Sequence, residues 1–143
     1  SKFEDSIINF QNRIDKKIIL TTFNNNFYYY NNLNIKKINF NNLQYQDLTN
    51  SKILIIENIP MTHFHNLMKN SYANISCHSG LFVHSSLALN RITIDIMNKS
   101  REKWLNTWID YKIDYIKIYK STRNKIYNIN EILTSIHEQI NKI

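Results

Sequence analysis

The chain has 143 residues, with 18 Lys and Arg against 11 Asp and Glu, a formal net charge of +7 and 43% hydrophobic residues. This is a globular composition with the size of one domain, which excludes a disordered polypeptide and makes two independent domains an unneeded assumption. One cysteine excludes an internal disulfide and suits a reducing cytosol, while no apolar run approaches the roughly 18 residues needed to cross a bilayer.

Residues 3–14 place Ile7, Ile8, Phe10 and Ile14 at near-helical spacing and predict an amphipathic helix. The opening SKFEDSIINF carries charges where a signal peptide needs an apolar core. It lacks Met and begins directly in a helical pattern, so a fragment of a longer protein is expected. The β-branched run IILTTF then predicts a buried strand. NNNFYYYNNLN predicts a short helix carrying Phe27, Tyr30 and Leu33, and INFNNLQYQDLTN predicts a loop with at most a short helix. KILIIEN is apolar throughout, as a strand covered on both faces is.

Pro60 stops that strand, and Thr62 is expected to cap a helix over residues 63–70. ANISCHS predicts a third strand, leading into a helix over LFVHSSLALN, and RITIDIM predicts a fourth strand. Strands alternating with helices indicate βαβ units. The expected fold class is therefore α/β, a doubly wound, mostly parallel sheet flanked by helices, forming one Rossmann-like domain over 1–143. Beyond Met97, a helix carrying Trp104 and Trp108, an alternating edge strand DYIKIYK and a last helix capped by Asn130 complete the chain.

The abundance of Asn, Ile and Lys fits an AT-rich genome, in which Asn and Lys stand where other genomes use Gly, Asp or Arg. A basic chain suits a nucleic acid, an anionic membrane surface or a phosphorylated small molecule equally. The more pointed feature is SCHSGLFVHSS, which holds the single cysteine and the single glycine, Gly80. It falls at the carboxyl end of a predicted parallel strand and the start of a helix, where ligands of open α/β sheets bind. Unpaired helix N–H groups and the dipole favour an anion there. Gly80 removes a Cβ that would keep a phosphate away, and Ser79 can cap the helix or donate to a phosphate oxygen; a tight strand-to-helix turn would also account for the glycine.

Other groups stay open between two roles. His84 is either a crevice residue or packed between helix and sheet, His78 sits at the strand end, and Glu57 is either a ribose-binding carboxylate or a solvated strand end. Cys77 is expected to be a small buried hydrophobe, and His63 and His65 an exposed first helical turn. Adjacent Cys77 and His78 would point to opposite sides of a strand, so no metal site is expected. The alternating Tyr and Lys of YKIDYIKIYKSTRNK could face single-stranded nucleic acid, but such a pattern also describes a solvated edge strand, and nucleic acid is not the expected partner.

The stretch ILIIENIPMTHFHNLMKNSYANISCHSGLFVHSSLALNRITIDI, within residues 51–97, resembles the C-terminal half of family-nine glycosyltransferases, the ADP-heptose:lipopolysaccharide heptosyltransferase group with the GT-B fold. The resemblance implies that Ser79 and Gly80 bind the diphosphate of a nucleotide sugar, that His84 accompanies them, and that Met61 packs near the base. His78 stands where the family has Asp, and His84 follows Gly80 by four residues where the family has three. The implied function is the donor-binding domain of a bacterial glycosyltransferase in surface polysaccharide or lipopolysaccharide synthesis, with no cofactor. Its implied location is cytoplasmic, with peripheral contact to an anionic inner membrane. The family's catalytic base lies in an N-terminal acceptor domain, so the partners implied are a nucleotide-diphosphate sugar and that missing domain. The alternatives are a non-catalytic anion- or nucleic-acid-binding module of the same fold, or a sugar-nucleotide epimerase-like domain, which uses a similar Ser-Gly turn.

Overall fold

In a computed structural model, which describes residues 2–22, 35–103 and 114–143, the chain is an α/β protein with two three-stranded parallel sheets flanked by helices. It divides into two compact units, Ser1–Phe64 and His65–Ile143. The expected helix with Phe27, Tyr30 and Leu33 and the helix with Trp104 and Trp108 lie outside the described residues.

In the first unit, α1 (Lys2–Ile14) buries Ile7 and Phe10, the positions its apolar spacing selects. It ends at Asp15, whose φ is 51°. The sheet runs β1 (Ile18–Thr22), β3 (Ile53–Glu57), β2 (Ile35–Asn39), with β3 in the centre and both neighbours parallel to it. That central place explains the unbroken apolar run: Ile53, Leu54, Ile55 and Ile56 are all buried.

Strand β2 corrects the expectation of a loop at INFNNLQYQDLTN and extends N-terminal to it. Its IKKIN sequence lacks clean alternation, because two lysines stand side by side. Side chains at consecutive strand positions leave opposite faces, and each lysine finds a carboxylate from elsewhere. Lys36 pairs with Asp47, and Lys37 Nζ lies 2.8 Å from Glu57 at the end of β3. A short 3₁₀ turn (Phe40–Asn42) and α2 (Tyr45–Asn50) connect β2 to β3. Asp47 also accepts from the Gln44 N–H at 2.9 Å. The Lys36 hydrogen bond, then that backbone bond, hold its carboxyl below the ordinary range.

Helix α3 (Met61–Lys69) carries the chain from the first unit into the second. Its first turn closes on the Pro60 carbonyl, which accepts from the Phe64 N–H at 2.9 Å, so Thr62 lies inside the helix and does not cap it. β3 has already ended at Glu57, where Asn58 turns to φ 56°, so Pro60 does not stop the strand as expected and instead supplies that carbonyl.

The second unit orders its strands β4 (Asn74–Ser76), β5 (Thr93–Asn98) and β6 (Tyr115–Ser121), all parallel. β4 is shorter than ANISCHS suggested, because His78 adopts φ 61° and leaves the extended region. Helix α4 (Gly80–Ala88) connects β4 to β5 and packs Val83 and Leu87 on Met97, with Tyr115 and Tyr119 beside them. Under it runs a polar seam: buried Ser86 Oγ accepts from Asn74 Nδ2 at 2.9 Å and from Thr93 Oγ1 at 2.7 Å. Burying hydroxyls and an amide is tolerable because they satisfy one another, and small Ser86 lets the helix approach the sheet.

α4 stops with Asn90 at φ 57°. The Asn90 N–H donates to Leu87 O and the Arg91 N–H to Ser86 O, the paired bonds of a Schellman ending that usually employs glycine. Asn58, after β3, has φ 56°. Asparagine thus occupies left-handed positions in a chain with one glycine, as the composition suggested. The final helix α5 (Ile129–Asn141) buries Leu133, Ile136 and Ile140. Its cap is Asn128, which accepts from the Glu131 N–H at 2.9 Å, in place of the expected Asn130.

Candidate functional site

The carboxyl edge of β4 becomes the amino end of α4 within three residues. Ser76 Oγ accepts from the Ser79 N–H at 3.0 Å, turning the chain sharply, and Ser79 then occupies the N-cap with an extended backbone. The Ser79 side chain makes no capping hydrogen bond. The N–H groups of Gly80 and Leu81, in the first turn, have no intrahelical acceptor. The segment therefore offers donors at a helix end where the dipole is positive.

Gly80 does not serve the backbone conformation. Its φ is not positive, and a Cβ built there would meet nothing within 4 Å. The left-handed residue is His78, two positions earlier. The requirement for unusual backbone expected at Gly80 is thus met by a histidine, and what Gly80 provides is open space over the first helical turn.

His78 is anchored from below. Its Nδ1 lies 3.2 Å from Asp95 Oδ2, and the same oxygen accepts from the Tyr115 hydroxyl at 2.7 Å. Asp95 is 0% exposed on the central strand, and its Oδ1 is buried without a hydrogen-bond partner among the described residues. Burial, reinforced by the Asp95 hydrogen bond and charge, pushes the Tyr115 phenol far above its ordinary value, so Tyr115 remains a donor. Next to this group, Glu102 accepts from Tyr119 at 2.7 Å and from Lys117 at 3.1 Å. Those two bonds hold the Glu102 carboxyl below its usual range. Burial, then the Glu102 bond, raises Tyr119 to about 12. Lys99 Nζ sits 4.9 Å from the centre of the Tyr119 ring.

The predicted site residues fall into two groups. His78, Ser79, Gly80 and His84 share one strand-to-helix segment of the second unit. His84 is exposed on α4, four residues after Gly80 and so on the same side of the helix. Glu57 and Met61 belong to the first unit. Glu57 is paired with Lys37 at the end of β3, and Met61 is 44% exposed at the start of α3.

Two expectations change. Cys77 is exposed, not buried, because β4 ends before it and the chain has already begun to turn. His63 is exposed and lies against the Phe40 ring at 4.8 Å, but His65 is half-buried, with its Nε2 enclosed and unpartnered among the described residues. Among the described residues, no three His, Cys, Asp or Glu side chains are grouped as metal ligands, and no helix is long and apolar enough to cross a membrane.

Asp95 and Tyr115 were absent from the residues singled out by sequence. A signal existed: RITIDIM places an ionisable residue within a run otherwise patterned for the core, where an acidic side chain is rarely fully buried unless partnered. Its partners lie on β6 and in the turn before α4, and sequence spacing does not announce them.

Comparison of the chain with family models, with curated proteins and with solved structures found no match.

Proposed function

We propose that the chain is the donor-binding domain of a glycosyltransferase, and that the α4 amino end holds the diphosphate of a nucleotide sugar. The observation that carries this reading is the open space at Gly80, at the first position of a helix whose N-cap side chain is uncommitted. A glycine whose backbone could be adopted by any residue, and whose missing Cβ faces no neighbour, is well suited to close approach by a ligand. Phosphate oxygens would accept from the Gly80 and Leu81 N–H groups, and Ser79 Oγ would donate a further hydrogen bond.

In transfer, an acceptor hydroxyl forms a bond to the anomeric carbon as the bond to the diphosphate breaks. The helix end and Ser79 take up the negative charge that develops on the leaving group. The acceptor and the base that receives its proton come, in this proposal, from a second domain. Surface-polysaccharide synthesis at the cytoplasmic face of a membrane is the setting that the resemblance to family-nine glycosyltransferases suggests.

The test is a thermal-shift panel of ADP-, GDP-, UDP- and CMP-sugars on the wild type and Gly80→Val. At least one nucleotide sugar raises the wild-type melting temperature, and the substitution abolishes that rise while leaving a folded protein. An undiminished rise in Gly80→Val puts the ligand elsewhere. Strong salt-dependent RNA binding without any nucleotide-sugar response replaces the proposal with a non-catalytic binding module.

A further inference from the structure

Beside the α4 amino end lies a carboxylate that ordinary packing does not explain. A buried Asp retained for structure alone is expected to have both oxygens satisfied, since an unpaired buried acceptor costs about 1–3 kcal/mol. Asp95 is fully buried and leaves Oδ1 unpartnered among the described residues, where its side-chain hydrogen bonds both converge on Oδ2. One partner is Tyr115. The other is His78, whose side chain retains 21% of its exposure and whose backbone is held in the left-handed region.

The chemistry of the shared oxygen determines the histidine's tautomer. Tyr115 donates to Oδ2, so an ionised Asp95 is an acceptor for both neighbours, and His78 must carry its proton on Nδ1 to complete the contact. A neutral imidazole then has a bare lone pair on Nε2. No side chain among the described residues occupies Nε2, and it is not one of the enclosed unpartnered atoms. A buried carboxylate behind Nδ1 with a free Nε2 in front is how proteins orient an imidazole toward a ligand.

We infer that Asp95, locked by Tyr115, is a positioning residue that holds His78 as the Nδ1–H tautomer and presents Nε2 as a hydrogen-bond acceptor to a hydroxyl of the bound sugar nucleotide. This rests on the diphosphate reading of the α4 end and divides the ligand between two chemistries. Negative phosphate oxygens go to the peptide N–H groups, which only donate. A hydroxyl, of ribose or sugar, goes to the imidazole.

The test has two readouts. Two-bond 1H–15N spectra of the ligand-free protein, with His78 assigned by His78→Asn, report which ring nitrogen carries the proton. Asn is chosen because it tolerates positive φ. Binding is then compared between inorganic pyrophosphate, which has no such hydroxyl, the free nucleoside diphosphates ADP, GDP and UDP, and their glucose conjugates, using wild type, Asp95→Asn and His78→Asn. The wild type shows Nδ1–H and bare Nε2 at pH 8. Both variants keep wild-type affinity for pyrophosphate and lose about five- to tenfold for the ligand bearing the recognised hydroxyl, the worth of one neutral hydrogen bond. A loss already present with the free nucleoside diphosphates identifies ribose, and a loss confined to the conjugates identifies the sugar.

A His78 protonated on Nε2, or on both nitrogens, overturns the inference even if diphosphate binds. Equal losses for pyrophosphate and the hydroxyl-bearing ligands also overturn it, since those mark a general structural defect. If Asp95→Asn does not fold, His78→Asn carries the comparison. If no probe binds the wild type or shifts the Gly80 amide resonance, the diphosphate reading itself fails and the hydroxyl contact falls with it, while the ligand-free spectrum still decides whether Asp95 sets the tautomer.

Discussion

Replacing Gly80 by alanine separates the two roles a glycine can play at a helix start. The backbone at position 80 is already right-handed, and the added Cβ would meet no atom within 4 Å. Neither strain nor a clash therefore opposes the substitution in the folded state. Alanine restricts the unfolded chain more than glycine does, and at compatible positions that stabilises by about 0.4–1 kcal/mol. For the unit His65–Ile143, with about 4–8 °C of melting shift per kcal/mol in a domain of this size, the expected rise is about 2–8 °C. Ligand binding moves the other way. If a phosphate oxygen sits on the Gly80 N–H, the methyl group obstructs it, and a charge-assisted hydrogen bond of about 1.5–3 kcal/mol is forfeited, about ten- to a hundredfold in Kd. Differential scanning calorimetry without ligand, followed by titration with pyrophosphate, measures both. A fall in melting temperature would refute the description of the Gly80 backbone, and an unchanged pyrophosphate Kd in the stabilised variant would refute close approach of an anion there.

The alkaline limb of stability should report Tyr119. Its folded value near 12 lies above the ordinary value of 10, so the unfolded phenol loses its proton first. Its contribution is complete below pH 10 and disappears as pH rises from there through about 12. A wild-type minus Tyr119→Phe difference titration at the phenolate absorbance therefore has its midpoint near pH 12, and a midpoint near 10 contradicts the burial of Tyr119 together with its Glu102 contact. At the far end of α4, Asn90→Val costs about 1–2 kcal/mol in urea denaturation, because a β-branched residue resists φ 57°. Asn90→Gly is neutral or stabilising, and equal effects of the two substitutions would contradict the Schellman ending.

Much of the fold was legible because periodicity is a local property. The apolar faces of α1 and α5, the fully covered β3 and the strand-helix alternation each follow from side-chain spacing within about a dozen residues. The strand-to-helix junction around Ser79 and Gly80 was legible for the same reason: one glycine and several small residues follow the strand segment there. β2 was not legible, since IKKIN has no apolar face of its own. What makes it a strand is parallel pairing of its backbone along β3, with Ile35 buried, while Asp47 and Glu57 reach Lys36 and Lys37 from other elements.

The sequence by itself thus determined the α/β class, the buried faces of α1, β3 and α5 and the strand-to-helix junction at Ser79 and Gly80. The tertiary structure decided that the strands form two sheets, that His78 and not Gly80 takes the left-handed backbone, and that Asp95 and Tyr115 stand behind it. Helical and strand periods are set by neighbours along the chain. Register and hydrogen-bond partners are set by segments 17 and 20 residues away, whose meeting depends on how the sheet closes.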